Sequence, residues 1–197
     1  GMFYMITTNV TDKGNFVVHT DNIDGEWSDP AWIDQGGIDP SLFWDEDDKC
    51  YYCSTGILDG VRGIVAFEIN PMTGEILSDK HLISEGCGGQ CAEGPHIYKK
   101  DGMYYLMIAE GGTEYAHRET IQRSASVWGP YTACPHNPII SHKEYKKSEI
   151  QATGHADLIE DANGNWWLVF LGIRRFSHAL LHNLGRETFL APVTWKD

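Results

Sequence analysis

Pro95-His96-Ile97-Tyr98 runs into a turn of Lys, Asp and Gly over residues 99–103 and returns through Tyr104-Tyr105. A short apolar strand, a polar turn and an aromatic return strand read as a β-hairpin. The phrase recurs on both sides. Pro40-Ser41-Leu42-Phe43, residues 45–49 and Tyr51-Tyr52 repeat it upstream, and Ala156-Asp157-Leu158-Ile159, residues 160–165 and Trp166-Trp167 repeat it downstream. A fourth doublet, Phe3-Tyr4, has no strand before it, so the sequence starts in mid-hairpin.

The doublets begin at 3, 51, 104 and 166, a period near 50 residues. A second phrase keeps the same place in the unit: Val17-Val18-His19-Thr20, ending in Trp27, resembles Ile121-Gln122-Arg123-Ser124, ending in Trp128. Hairpin, third strand and outer fourth strand make up one propeller blade of four antiparallel strands. The expected fold is therefore an all-β propeller with about 3.5 blades in this chain. It forms one partial domain, with blades near 1–33, 34–88, 89–150 and 151–197. Closing the ring needs at least one more blade, and the two open sheet edges favour pairing between copies, a homo-oligomer.

Composition excludes several classes. The 197 residues are 42% hydrophobic and 22% charged, with 28 acidic residues against 15 Lys plus Arg and a formal charge of -13. That is a folding composition, not a disordered one. Without a Lys/Arg cluster the chain lacks the concentrated positive charge that phosphate backbones and anionic lipids require, so neither nucleic acid nor membrane is an expected partner. Neutral ligands remain. No apolar run approaches the roughly 20 residues of a membrane span, and localisation stays open, with the cytoplasm favoured over export.

With 21 Gly, 7 Trp, 9 Tyr and 7 Phe, the chain suits a turn-rich β protein. Trp and Tyr in a cleft fit sugar faces, although most aromatic residues in any fold are core. The five cysteines, Cys50, Cys53, Cys87, Cys91 and Cys134, are odd in number and irregular in spacing, unlike a disulfide framework. Cys50 and Cys53 form a CxxC, but within an alternating strand their side chains point to opposite faces, which argues against a redox or zinc pair.

Two carboxylates open hairpin strands: Asp39, before Pro40, and Glu93, before Gly94-Pro95. Acids there also serve as turn or cap residues. Equivalent ends of neighbouring blades meet at a central channel, however, and two carboxylates close together raise each other's pKa until one can act as an acid. His155, in Thr153-Gly154-His155-Ala156, takes the same point in the next unit. Three blade ends reading Asp, Glu and His suggest an axial ion, and one His implies a calcium shell filled mostly by water. Arg186 either pairs at the surface or reaches the channel to bind hydroxyls.

At these residues the chain resembles the five-bladed propeller glycoside hydrolases of family 43, in their β-xylosidase and α-L-arabinofuranosidase branch. The resemblance rests on Ile38-Asp39-Pro40-Ser41-Leu42-Phe43, Ala92-Glu93-Gly94-Pro95-His96, Gly111-Gly112-Thr113-Glu114-Tyr115-Ala116-His117, Thr153-Gly154-His155-Ala156-Asp157 and Leu184-Gly185-Arg186-Glu187. It implies inverting hydrolysis of terminal xylose or arabinose from plant polysaccharide or oligosaccharide, with carbohydrate as the partner. By the same resemblance Glu93 is the general acid and Asp39 the group that tunes and orients it. His155 stands near a calcium ion at the axis, and Arg186 holds substrate hydroxyls. The family's base belongs to a first blade in an Asp-Pro-Asp type motif that this sequence does not contain, so the chain is expected to be an N-terminally truncated, impaired enzyme. The alternative is a carbohydrate-binding propeller without turnover.

Overall fold

The computed structural model describes residues 1–176, 182 and 184–196. Within them every regular element is a strand, and the strands form four antiparallel sheets arranged as blades of a β-propeller. The first sheet holds β1 (Phe3–Asn9), β2 (Gly14–Thr20) and β3 (Ala31–Trp32). The second holds β4 (Ile38–Trp44), β5 (Cys50–Leu58) and β6 (Val61–Asn70), with β7 (Glu75–Ile76) and β8 (His81–Ser84) both paired to β6. The third repeats this plan: β9 (Glu93–Lys100), β10 (Met103–Glu110) and β11 (Arg118–Ser124), with β12 (Thr132–Ala133) and β13 (Ile140–Ser141) both on β11. The fourth holds β14 (Ile150–Glu160), β15 (Trp166–Arg174) and β16 (Glu187–Val193).

Register fixes which strands correspond. Phe3 pairs with Thr20 and Tyr104 with Ser124, so β1 occupies the second-strand place of β10, and the two matching phrases lie on the matching strands β2 and β11. Strands β4, β9 and β14 take the innermost place and contact one another in turn. The first sheet has no described strand there. The described strands thus form four blades, the first of them without its innermost strand, against the expected count of about 3.5.

Turn chemistry explains the tightest connections. Asp59-Gly60 joins Leu58 to Val61, and Asp101-Gly102 joins Lys100 to Met103. All four turn residues have positive φ (49°, 82°, 51° and 76°). That is the two-residue hairpin loop in which both central residues are left-handed, and Asp-Gly fits it well.

The doublets have a packing cause. The middle strands β5 and β10 are covered by a blade on both faces, so their consecutive side chains enter different interfaces. Tyr52 and Cys50 join Val17, Ile33 and Phe67 between the first and second sheets. Tyr51 and Cys53 join Ala92, Ile97, Leu106 and Ile108 between the second and third. Met107 turns the other way, toward Ala156, Leu158, Leu168 and Phe170 of the fourth. Fully burying one such aliphatic or aromatic side chain contributes about 1.5–3 kcal/mol. The CxxC is thus divided between two cores, and all five cysteines are free.

Candidate active site

Each innermost strand carries the same irregularity, near its start in β4 and β9 and in mid-strand in β14, where a further shift between Gln151 and Gly154 precedes it. Pairing jumps from Ile38–Thr55 to Ser41–Cys53 in β4, from Glu93–Ala109 to His96–Met107 in β9, and from Gly154–Leu171 to Asp157–Val169 in β14. At each jump two inner residues oppose one on the partner, which is a β-bulge. The first bulged residue is left-handed in all three: Asp39 at φ 55°, Gly94 at 57° and His155 at 50°. Asp and His are among the few non-glycine residues that tolerate this region.

Asp39 and His155 therefore hold one structural position, as the repeat implied. Glu93 does not share it. Glu93 stands one residue earlier, level with Ile38 and Gly154, which corrects by one residue the match inferred between the two acids. The cause is the His155 ring, which reaches across to β9 and lies over Gly94. An added Cβ at 94 would come within 2.7 Å of His155 Nε2. Glycine fills the left-handed slot, and the carboxylate falls to the residue before it.

Glu93 Oε1 accepts a 2.7 Å hydrogen bond from Arg62 Nη2, an ion pair from the β5–β6 hairpin. Beside Arg62 lies a cavity of about 370 Å³ lined by Gln35, Gly37, Ile38, Thr55 and Ile57, none of them aromatic. Asp39 forms no hydrogen bond to Glu93 among the described residues. Its charge acts instead on His96, which also faces His155 and Asp157. His96 Nδ1 is 3.7 Å from Asp157 Oδ1, and the Tyr98 hydroxyl donates to the same Asp157 oxygen. Burial holds His96 below the usual histidine range. Arg186 lies exposed just before β16, at the same end of the sheets as His155, and its charge acts on His117. The His117 ring covers Gly154, with Nδ1 2.9 Å from the Ala152 carbonyl oxygen.

Two supporting residues were not foreseen from the sequence. Glu110, 1% exposed, accepts from the Cys87 and Gly89 amides at 2.6 and 3.2 Å and from Arg118 Nη2 at 2.9 Å, which ties down the loop leading to Glu93. Glu119, fully buried, accepts from the Ala156 amide at 2.9 Å and holds the β14 bulge just after His155. Burial pushes the Glu119 carboxyl well above the usual range, against the amides of Ala156 and His155, which favour its charge. The only available signal was a carboxylate inside a strand run instead of a turn.

The calcium expectation names one histidine in a shell filled mostly by water, and His155 is the residue that would hold such an ion. Among the described residues no group of three His, Cys, Asp or Glu side chains is disposed to hold a metal ion. A hard cation would rest on His155 and water alone, and no step below passes through one.

Asp39, Glu93 and His155 thus stand together at one end of the sheets of a β-propeller. The chain belongs to glycosyl hydrolases family 43, whose family model matches residues 1–197. It is 46% identical over 198 residues to a non-reducing end alpha-L-arabinofuranosidase of Bacteroides ovatus, covering 99% of this chain and 36% of that protein. It is 43% identical to a xylosidase/arabinosidase of Butyrivibrio fibrisolvens, covering all of this chain and 40% of the relative. The crystal structure of a xylan beta-1,4-xylosidase from Bacillus halodurans superposes with a TM-score of 0.92 at 37% identity, again over 100% of this chain and 40% of the other. The chain thus spans roughly two fifths of the length of the relatives it matches.

Proposed function

We propose that this chain carries the acid side of an inverting pentoside hydrolase that releases terminal xylose or arabinose from plant polysaccharide or oligosaccharide. The observation that carries the reading is the placement of Glu93. It opens an inner strand beside the 370 Å³ cavity, and among the described residues its Oε2 accepts no hydrogen bond. In this reading Glu93 protonates the leaving oxygen, Asp39 tunes and orients it from the neighbouring inner strand, and Arg186 binds hydroxyls of the sugar. The names of the relatives, arabinofuranosidase and xylosidase, support the substrate class.

No residue here is assigned as the base. Inversion needs a second carboxylate about 6.5–9.5 Å from the acid, with a water between sugar and base. Asp157 is engaged by Tyr98 and faces His96, and Asp39 already has its role. General-base assistance contributes about 10²–10⁴-fold. The 197 residues alone should therefore turn over pentosides near background while keeping weak sugar affinity. The test compares this chain with its full reading frame on nitrophenyl xyloside and nitrophenyl arabinofuranoside. Substantial turnover by the chain alone, lost in Asp39→Asn, would make Asp39 the base.

A further inference from the structure

Arg62 is the one cation in direct contact with Glu93 among the described residues, and fold stability does not explain it. Its side chain is 60% exposed, and ion pairs so open to water add little to stability. The Arg62 carrier is nevertheless rigid: the β5–β6 ladder is regular from Tyr51–Glu68 to Leu58–Val61 and closes in the Asp59-Gly60 turn. Arg62 pairs with Ile57, which lines the cavity, so the guanidinium is held between the cavity and Glu93.

We propose that Arg62 is the positioning residue of Glu93. It grips Oε1, so that Oε2 remains to carry the proton toward the leaving oxygen. In the step itself, Glu93 gives its proton to the glycosidic oxygen and the bond from the anomeric carbon to that oxygen breaks with its electron pair going to oxygen. A water bonds to the anomeric carbon from the opposite face and gives its proton to the base carboxylate of the full reading frame, and Glu93 is left as a carboxylate. The guanidinium is then already paired with the negative charge that forms. This is electrostatic help that grows along the reaction coordinate, so it acts on the chemical step more than on binding. The proposal rests on Glu93 being the general acid.

Leaving-group dependence tests it, because a nitrophenolate departs without a proton and an alkoxide does not. In the full reading frame, Arg62→Met should lower kcat on an unactivated xylo- or arabino-oligosaccharide about 10- to 100-fold, leave nitrophenyl substrates within about 3-fold, and change KM little. Arg62→Lys should restore most of the loss, since one donor and the charge are kept. An equal loss on both substrate types, or no loss on either, would overturn the role of Arg62 while Glu93→Gln still shows selective loss. If Glu93→Gln lacks that selectivity, the acid assignment fails first. A readout independent of turnover is the carboxyl carbon signal of Glu93 in 13C-labelled chain. It should be single in the parent, broadened or doubled in Arg62→Met and single again in Arg62→Lys. An unchanged signal in Arg62→Met would also sink the proposal.

Discussion

The two ends of the inner hairpins differ in a way that size alone would misjudge. The far end, where β9 turns into β10 and β14 into β15, has the larger cavity, about 700 Å³, lined by Trp166, Trp167 and Trp195 with Lys99 and Lys100. Trp195 packs edge-on against Tyr105 and Trp166, with ring centres 4.7 and 5.4 Å apart. The other end has about half that volume and no aromatic lining. Left-handed residues separate them better. At the far end they sit in turns that require them, Asp101-Gly102 and Gly164, whereas at the other end Asp39 and His155 adopt the same conformation inside strands. A non-glycine residue held left-handed without a turn to justify it costs roughly 1–2 kcal/mol. Ala152, at φ 52°, shares this conformation in β14, and Asp39 and His155 bring charged or titratable groups to it, so the in-strand strain marks the end that carries the proposed site.

The strongest way to break this contrast is to disable one group at each end. Glu93→Gln in the full reading frame should reduce hydrolysis of unactivated oligosaccharides by about 10²–10⁴-fold, with a smaller loss on nitrophenyl glycosides. Trp166→Ala, at the far end, should leave kcat/KM within about 2-fold on both, whatever it does to stability. Comparable losses from the two variants would mean that the far cavity takes part in the chemistry.

A sharper comparison uses two glycines with similar φ. Gly94 (φ 57°) lies under the His155 ring, and Gly102 (φ 76°) has nothing within 4 Å of an added Cβ. Gly102→Ala should cost only the backbone term, about 1 kcal/mol, or roughly 3 °C in Tm for a chain of this size. Gly94→Ala adds a clash that only movement of His155 can relieve, so a fall of about 6 °C or more is expected. The His155 ring signals should shift in the 94 variant alone. Equal Tm losses with His155 undisturbed would remove the ring as the reason glycine occupies the slot.

Much of this layout was legible from residue order. The doublets announced the middle strands, which in β5 and β10 are buried on both faces and need large side chains at consecutive positions, and the turn over residues 99–103 announced the hairpin of β9 and β10. The bulge register was not legible. Whether a carboxylate falls on the left-handed residue or one before it depends on what lies across the channel, here the His155 ring over Gly94. Arg62 was missed for a similar reason, since its partner is 31 residues away in another sheet. Glu110 and Glu119 were missed because their partners are backbone amides of distant loops, which no local pattern encodes.

Half-buried Glu93 contrasts with fully buried Glu119, and near pH 4 the effect expected of Glu119 is the smallest. Burial raises its folded carboxyl well above 4.5, the ordinary value it regains on unfolding. Below about pH 4.5 both states hold the proton, and the group adds no pH dependence. Above it the unfolded chain gives up the proton while the folded chain retains it. The folded state then binds more protons, so stability falls as pH rises until the folded carboxyl ionises in turn, with a slope of at most about 1.4 kcal/mol per pH unit. Glu119→Gln keeps an acceptor for the Ala156 amide and removes the titration. Asp45 and Asp161, whose carboxyls are held low by their hydrogen bonds, give the opposite slope but contribute equally to parent and variant. The difference between the two chains in urea midpoint, followed from pH 4 to 8, should therefore be near zero at the acid end and move steadily in favour of Glu119→Gln. A flat difference would mean that Glu119 is ionised and satisfied in the fold, and that the β14 bulge is held by a full negative charge beside His155.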